Sequence, residues 1–138
     1  MTKASYPAPR EDADNAAFLN AWRQGRLVFQ SCAACGKSIF YPRPICPHCW
    51  SDRVESREAS GKGQIVSYSL VLRPNDPAFN DEVPIVLAEV ELSEGVSLIA
   101  RIIDCDAGDV RSGRPVELPS KAACARYPLP VFQLAGGE

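Results

Sequence analysis

The chain has 138 residues, 46% of them hydrophobic and 23% charged, with a formal net charge of -2. That length holds one ordinary domain, or two small modules if a staple such as a metal supports the smaller one, and the composition excludes a disordered chain. With a pI near 5.5 the chain lacks the broad electropositive footprint that non-specific binding to nucleic acid or anionic lipid requires. The N-terminus shows no signal-peptide core, and no later apolar run is long enough to span a bilayer, so the expected location is the cytoplasm.

In chain order, an arm carrying Pro7 and Pro9 comes first, extended and in need of a surface to lie on. From Glu11 the pattern predicts one amphipathic helix. Glu11, Asp12 and Asp14 suit its start, Phe18, Leu19 and Trp22 share a face, and Gly25 suits its end. That face is more aromatic than so short a segment needs for itself, so it is expected to pack on the following module or on another subunit. Short apolar runs at 27–29 and 38–41 flank the first cysteine pair, and the second pair sits in a proline-rich turn. Beyond Gly61 the text predicts strands at 64–72, 85–92, 96–103, 116–118 and 131–134, separated by turn-rich stretches. Five short strands suggest a small closed barrel of the OB type, with a small sandwich as the rival. The expected fold is therefore mainly β: an N-terminal arm and helix over 1–26, a metal-bearing ribbon over 27–60, and a barrel with a C-terminal tail over 61–138.

Four of the six cysteines, Cys32, Cys35, Cys46 and Cys49, form a C-x2-C-x10-C-x2-C pattern. Two thiolates from each of two tight turns can converge on one tetrahedral ion. Gly36 after Cys35 suits a knuckle that needs positive φ, and Pro47 restrains the other turn. The short linker fits a rubredoxin-like ribbon. Zinc is favoured, although iron suits the same four sulfurs. With four thiolates available the site should be closed, structural and inert, whereas a catalytic zinc would keep an open position. His48, the chain's one histidine, lies between two ligands and is expected to point outward. Any Ser–His or Cys–His catalytic arrangement is thus confined to the metal knuckle.

The carboxylates Asp76, Asp81, Glu82, Asp104, Asp106 and Asp109 all fall in turns, where capping and solvation explain them. Cys105, between Asp104 and Asp106, makes a poor nucleophile because like charge disfavours its thiolate, and Cys124 is expected to be buried. Tyr41, Arg43, Tyr68 and Arg73 could hold a base or a phosphate on the barrel face. Against that, Tyr68 alternates with Val66 and Leu70 and could belong to the core, while Arg73 could pair with a loop carboxylate. There is no glycine-rich phosphate loop.

The succession Cys32–Cys35–Gly36, then Cys46-Pro-His-Cys49, then Gly61-Lys-Gly-Gln-Ile-Val-Ser-Tyr-Ser resembles the DUF35 family. The likeness runs on through Arg73-Pro, Val83-Pro and Asp109-Val-Arg-Ser-Gly-Arg-Pro-Val. It implies a helix, a rubredoxin-like zinc ribbon and an OB-fold. It also implies a role as a non-catalytic companion of acyl-CoA enzymes: thiolase-like proteins, including sterol side-chain aldolases, and MaoC-type hydratases. Such a companion stabilises the catalytic subunit and helps to form its CoA-binding channel. With no hydratase segment attached, a free-standing companion is expected. Trp50 departs from the small residue common after the second knuckle, and could cover the site or meet a partner. The candidate CoA or partner contacts are accordingly Trp22, Tyr41, Arg43, Trp50, Tyr68 and Arg73. The alternative is a single-stranded nucleic-acid binder of the OB type, against which the acidic balance argues.

Overall fold

The computed structural model describes residues 6–135; residues 1–5 of the expected arm and 136–138 of the expected tail lie outside them. Helix α1 spans Ala16–Arg23, later than the acidic text at Glu11 suggests. The delay has a local cause: the Asp12 carboxylate accepts from the Asp14 and Asn15 N–H groups, and the Asn15 side chain accepts from the Asp12 N–H. These reciprocal bonds hold 12–15 as a turn in front of the helix. At the other end the Gly25 N–H reaches the Trp22 carbonyl and the Arg26 N–H the Ala21 carbonyl, the bond pair that closes a helix at glycine.

Strands β1 (Val28–Cys32), β2 (Ser38–Ile39) and β3 (Val54–Glu58) form an antiparallel sheet in the order β2-β1-β3. Strand β3 pairs with β1 along its whole length, from Val28 opposite Glu58 to Cys32 opposite Val54. Strands β4 (Lys62–Val71), β5 (Ile85–Leu92), β6 (Ser97–Ile103), β7 (Pro115–Glu117) and β8 (Val131–Leu134) close a barrel in the order β4-β5-β6-β8-β7. All pairings are antiparallel except β6 with β8. A short helix, α2 (Lys121–Cys124), lies between β7 and β8 and is capped by the Ser120 hydroxyl, which accepts from the Ala123 N–H.

The strict alternation in β5, with Val86, Ala88, Val90 and Leu92 buried, marks the strand with one face in the core. These residues meet Ile65, Leu98, Ile102, Val116 and Phe132 inside the barrel. Helix α1 spans both modules. Phe18 packs edge-on against Phe40 of the ribbon, with ring centroids 5.5 Å apart, while Trp22 enters a barrel-side cluster with Ile103, Cys124 and Val131. Both aromatic anchors of the helix are thus satisfied within the chain.

A four-cysteine clamp and the surfaces around it

The two cysteine knuckles are built alike. In the first, the Gly36 N–H donates to the Cys32 carbonyl and the Cys32 N–H to the Lys37 carbonyl. In the second, the Trp50 N–H donates to the Cys46 carbonyl and the Cys46 N–H to the Ser51 carbonyl. Position 50 is therefore the counterpart of position 36, and both have positive φ, 78° at Gly36 and 68° at Trp50. A large L-residue in that conformation is strained, yet Trp50 is also 81% exposed.

The four sulfurs lie within 4.8 Å of one another. Cys32 Sγ and Cys49 Sγ are 3.6 Å apart, and Cys35 Sγ and Cys46 Sγ 3.8 Å. A tetrahedral ion with sulfur ligands at about 2.3 Å requires edges of about 3.8 Å, which these two pairs match, so the donor set suits one ion. The Cys35 N–H points at Cys32 Sγ and the His48 N–H at Cys46 Sγ, bonds that suit thiolates better than thiols. The Cys35 N–H is the main reason the Cys32 thiol is lowered to about 6. For Cys49 the largest single influence, the Ser51 backbone, also lowers the pKa, but desolvation and the three neighbouring sulfurs together outweigh it and push it up to about 12. All four sulfurs turn inward to one point, which leaves no open position for catalysis, and His48 is exposed outside the cluster.

The remaining sequence candidates do not form one site. Trp22 is corrected: it is 1% exposed, and its indole N–H donates to the Tyr127 carbonyl at 2.8 Å, so it is a core residue and not a surface contact. Its apolar neighbours Phe18 and Leu19 go inward with it, because the helix has its own chain's two modules to pack on. Tyr41 lies on the ribbon, and its hydroxyl accepts the Ile99 N–H of β6 at 3.0 Å, tying ribbon to barrel. The Arg43 backbone is clasped by the Gln30 amide on both sides, which leaves its guanidinium exposed. Tyr68 is exposed on β4 together with Val66 and Leu70, so the core alternative for it is corrected. Beyond the bulge between Ile65 and Ser67, Tyr68 and Leu70 lie opposite the buried Ala88 and Val86, but β7 pairs with β4 only as far as Gln64 and leaves them uncovered. Arg73 is exposed, and no carboxylate pairs with it among the described residues, contrary to the ion-pair reading.

Cys105 behaves as its neighbours dictate. Burial raises its pKa first, and the charges of Asp106, Asp109 and Asp104 raise it further. Cys124 is buried. Among the turn carboxylates, Asp76 caps the Ala78 N–H and Glu82 holds Arg101 at 2.6 Å.

One feature had only a faint sequence signal, the aromatic Tyr6 just before Pro7 and Pro9. Its ring stacks on Phe79 at 5.2 Å and on Tyr127 at 5.4 Å, and its hydroxyl donates to Glu82 at 2.6 Å. The arm is thereby pinned along the barrel. Beside it opens a mainly apolar cleft of about 550 Å³, lined by Val71, Arg73, Leu87, Ile99 and Leu129 among others.

Comparison with known proteins agrees with this architecture. Residues 19–55 match the family model of the ChsH2 rubredoxin-like zinc ribbon domain, and 56–119 that of the ChsH2 C-terminal OB-fold domain. The chain is 41% identical to a DUF35 domain-containing scaffold protein of Methanothermobacter thermautotrophicus over 72% of its own length and 78% of that protein. It is also 41% identical to a probable enoyl-CoA hydratase alpha subunit of Thermomonospora curvata, covering 96% of this chain but only 41% of the longer protein. Among solved structures, a chain of an Ltp2-ChsH2(DUF35) aldolase superposes with a TM-score of 0.77 at 39% identity, over 91% of this chain and 98% of that one. A DUF35 protein of Sulfolobus solfataricus, at 19% identity and a TM-score of 0.64, shares the fold. With paired knuckles, a ribbon sheet and a closed five-strand barrel in this order, the chain belongs to the DUF35 family.

Proposed function

We propose that this chain is a non-catalytic accessory subunit that binds and stabilises a thiolase-like acyl-CoA enzyme, a thiolase or a sterol side-chain aldolase, in the cytoplasm. Its four cysteines hold zinc, which supplies folding energy to the ribbon and takes no part in chemistry. Trp50, Tyr41, Arg43, Tyr68 and Arg73 are the residues through which the chain meets the enzyme or the CoA thioester at their shared interface. The observation that carries this reading is the likeness, along nearly the whole chain, to one component of an aldolase assembly, in a molecule whose metal site is closed. The scaffold naming of the archaeal relatives supports it from a second direction.

The test is co-expression with the thiolase-like protein encoded nearest to it, with only one chain tagged. A stable complex carrying acyl-CoA activity that the present chain lacks alone supports the proposal. A monomer that recruits nothing, or turnover by the chain alone, overturns it. Salt-sensitive affinity for a single-stranded oligonucleotide would revive the nucleic-acid alternative. A coloured, iron-bearing preparation would replace zinc by iron and a structural role by a redox one.

A further inference from the structure

The barrel is closed along only part of β4. Strand β7 pairs with it over Lys62, Gly63 and Gln64, and Ile65 bonds to Gly113 and Arg114. From 66 to 71 the strand is paired with β5 alone. Its outer edge therefore presents backbone N–H and C=O groups with no partner among the described residues. On the corresponding open edge of β6 the Tyr41 hydroxyl takes the Ile99 N–H. The β4 edge has no such cover.

Nor does it carry the devices that protect an edge. Between Lys62 and Arg73 there is no charged residue and no proline. The bulge sits at the start of the open segment and leaves the pairing of 67–71 with β5 regular. Val66, Tyr68, Leu70 and Leu72 are 42%, 43%, 42% and 65% exposed, alternating with Ser67 and Ser69. An apolar, uncharged and unpaired strand with period-two anchors is a template for strand addition.

We propose that the edge of 66–71 receives an extended strand of the enzyme partner, so that the barrel sheet continues into the other protein. The inference rests on the companion-subunit reading and gives it a surface and a binding mode. The occupant's chemistry follows from the edge. It is uncharged along the paired length, carries apolar or hydroxyl side chains at alternate positions, and bears a carboxylate at the end that meets the exposed Arg73. Arg73 has no ion-pair partner among the described residues. A second copy of this chain fits poorly, because antiparallel pairing over 66–71 would carry Arg73 of each copy to the Gln64 edge that β7 already fills in the other, and parallel pairing would set like cations side by side. A nucleic-acid phosphate backbone offers acceptors only, and would leave the edge carbonyls unpaired.

The full-length, metal-loaded chain is mixed with the thiolase-like enzyme, and backbone hydrogen exchange is followed in the free and bound states. Those amides of 66–71 that β5 does not already take should slow by about tenfold or more in the complex. Tyr68→Lys and Leu70→Lys, which place a charge on the exposed part of the edge, should each weaken the complex by about tenfold with metal content unchanged and the barrel still folded by circular dichroism. A complex that forms with these amides unprotected, or that tolerates both lysines, overturns the strand-addition proposal and leaves the companion reading standing. Protection that appears in the chain alone and grows with its concentration identifies a second copy as the occupant and overturns the hetero-pairing. If wild type and lysine variants alike bind no enzyme, the companion reading fails and the proposal falls with it.

Discussion

Trp50→Gly separates what the fold needs from what a partner needs. In the free chain the tryptophan occupies a left-handed conformation, at φ 68°, that costs an L-residue about 1–2 kcal/mol. Glycine removes that strain but loses roughly 0.5–1 kcal/mol through the freedom it adds to the unfolded chain. With the side chain 81% exposed, little packing is lost. The net change in the free, metal-loaded chain should lie between zero and about 1.5 kcal/mol of stabilisation. In a complex the balance reverses. An indole of about 200 Å² that becomes buried is worth at most about 4–5 kcal/mol by area, and truncation of such an anchor commonly costs about 2 kcal/mol, or about 30-fold in affinity. Thermal unfolding of the free chain and titration of the enzyme partner measure the two terms separately. A variant that melts several degrees lower would show that Trp50 serves the ribbon itself. A variant that binds the partner as wild type does would remove Trp50 from the interface.

Cys49→Ser should release the metal and unfold the ribbon, read as loss of stoichiometric metal and of ribbon amide protection; gradual acidification of the wild type should do the same, because protons compete with the ion for the thiolates. Trp22→Ala should destabilise the chain by about 3–5 kcal/mol in denaturant unfolding, since it empties a buried site and orphans the Tyr127 carbonyl, and any loss of partner should follow from that alone. Gly63→Ala should cost about 1–3 kcal/mol, because a Cβ there would stand 2.4 Å from the Glu91 carbonyl oxygen, a backbone atom that cannot swing away.

The cysteine clamp was legible because its chemistry is carried by spacing: two C-x-x-C turns dictate two knuckles, and two knuckles dictate one ion. Strands such as β5 were legible because one buried face imposes strict alternation. Strand β3 was not. Glu55, Ser56, Arg57 and Glu58 are largely exposed, so pairing with β1 organises them and no apolar pattern announces it. Helix α2 is too short to show a period, and its signal is the Ser120 cap alone. Trp22 left its expected surface and Tyr68 missed its core alternative for one reason: periodicity tells which residues share a face, not what that face meets. The helix face found the chain's own two modules, while β7 ends its pairing at Gln64 and leaves the outer half of β4 uncovered. The pinning of Tyr6 by Phe79, Tyr127 and Glu82 joins residues more than seventy positions apart, beyond the reach of local pattern.

The central claim is that a closed metal clamp and an open barrel surface make this chain a structural companion of an acyl-CoA enzyme. Native mass spectrometry of the chain co-expressed with its thiolase-like partner tests it most directly, because one spectrum reports assembly and metal together. The account predicts a hetero-oligomer with one zinc ion per copy of this chain, and no hetero-oligomer for Cys49→Ser. A chain that stays apart from the enzyme, or a complex that assembles fully without metal, would contradict it.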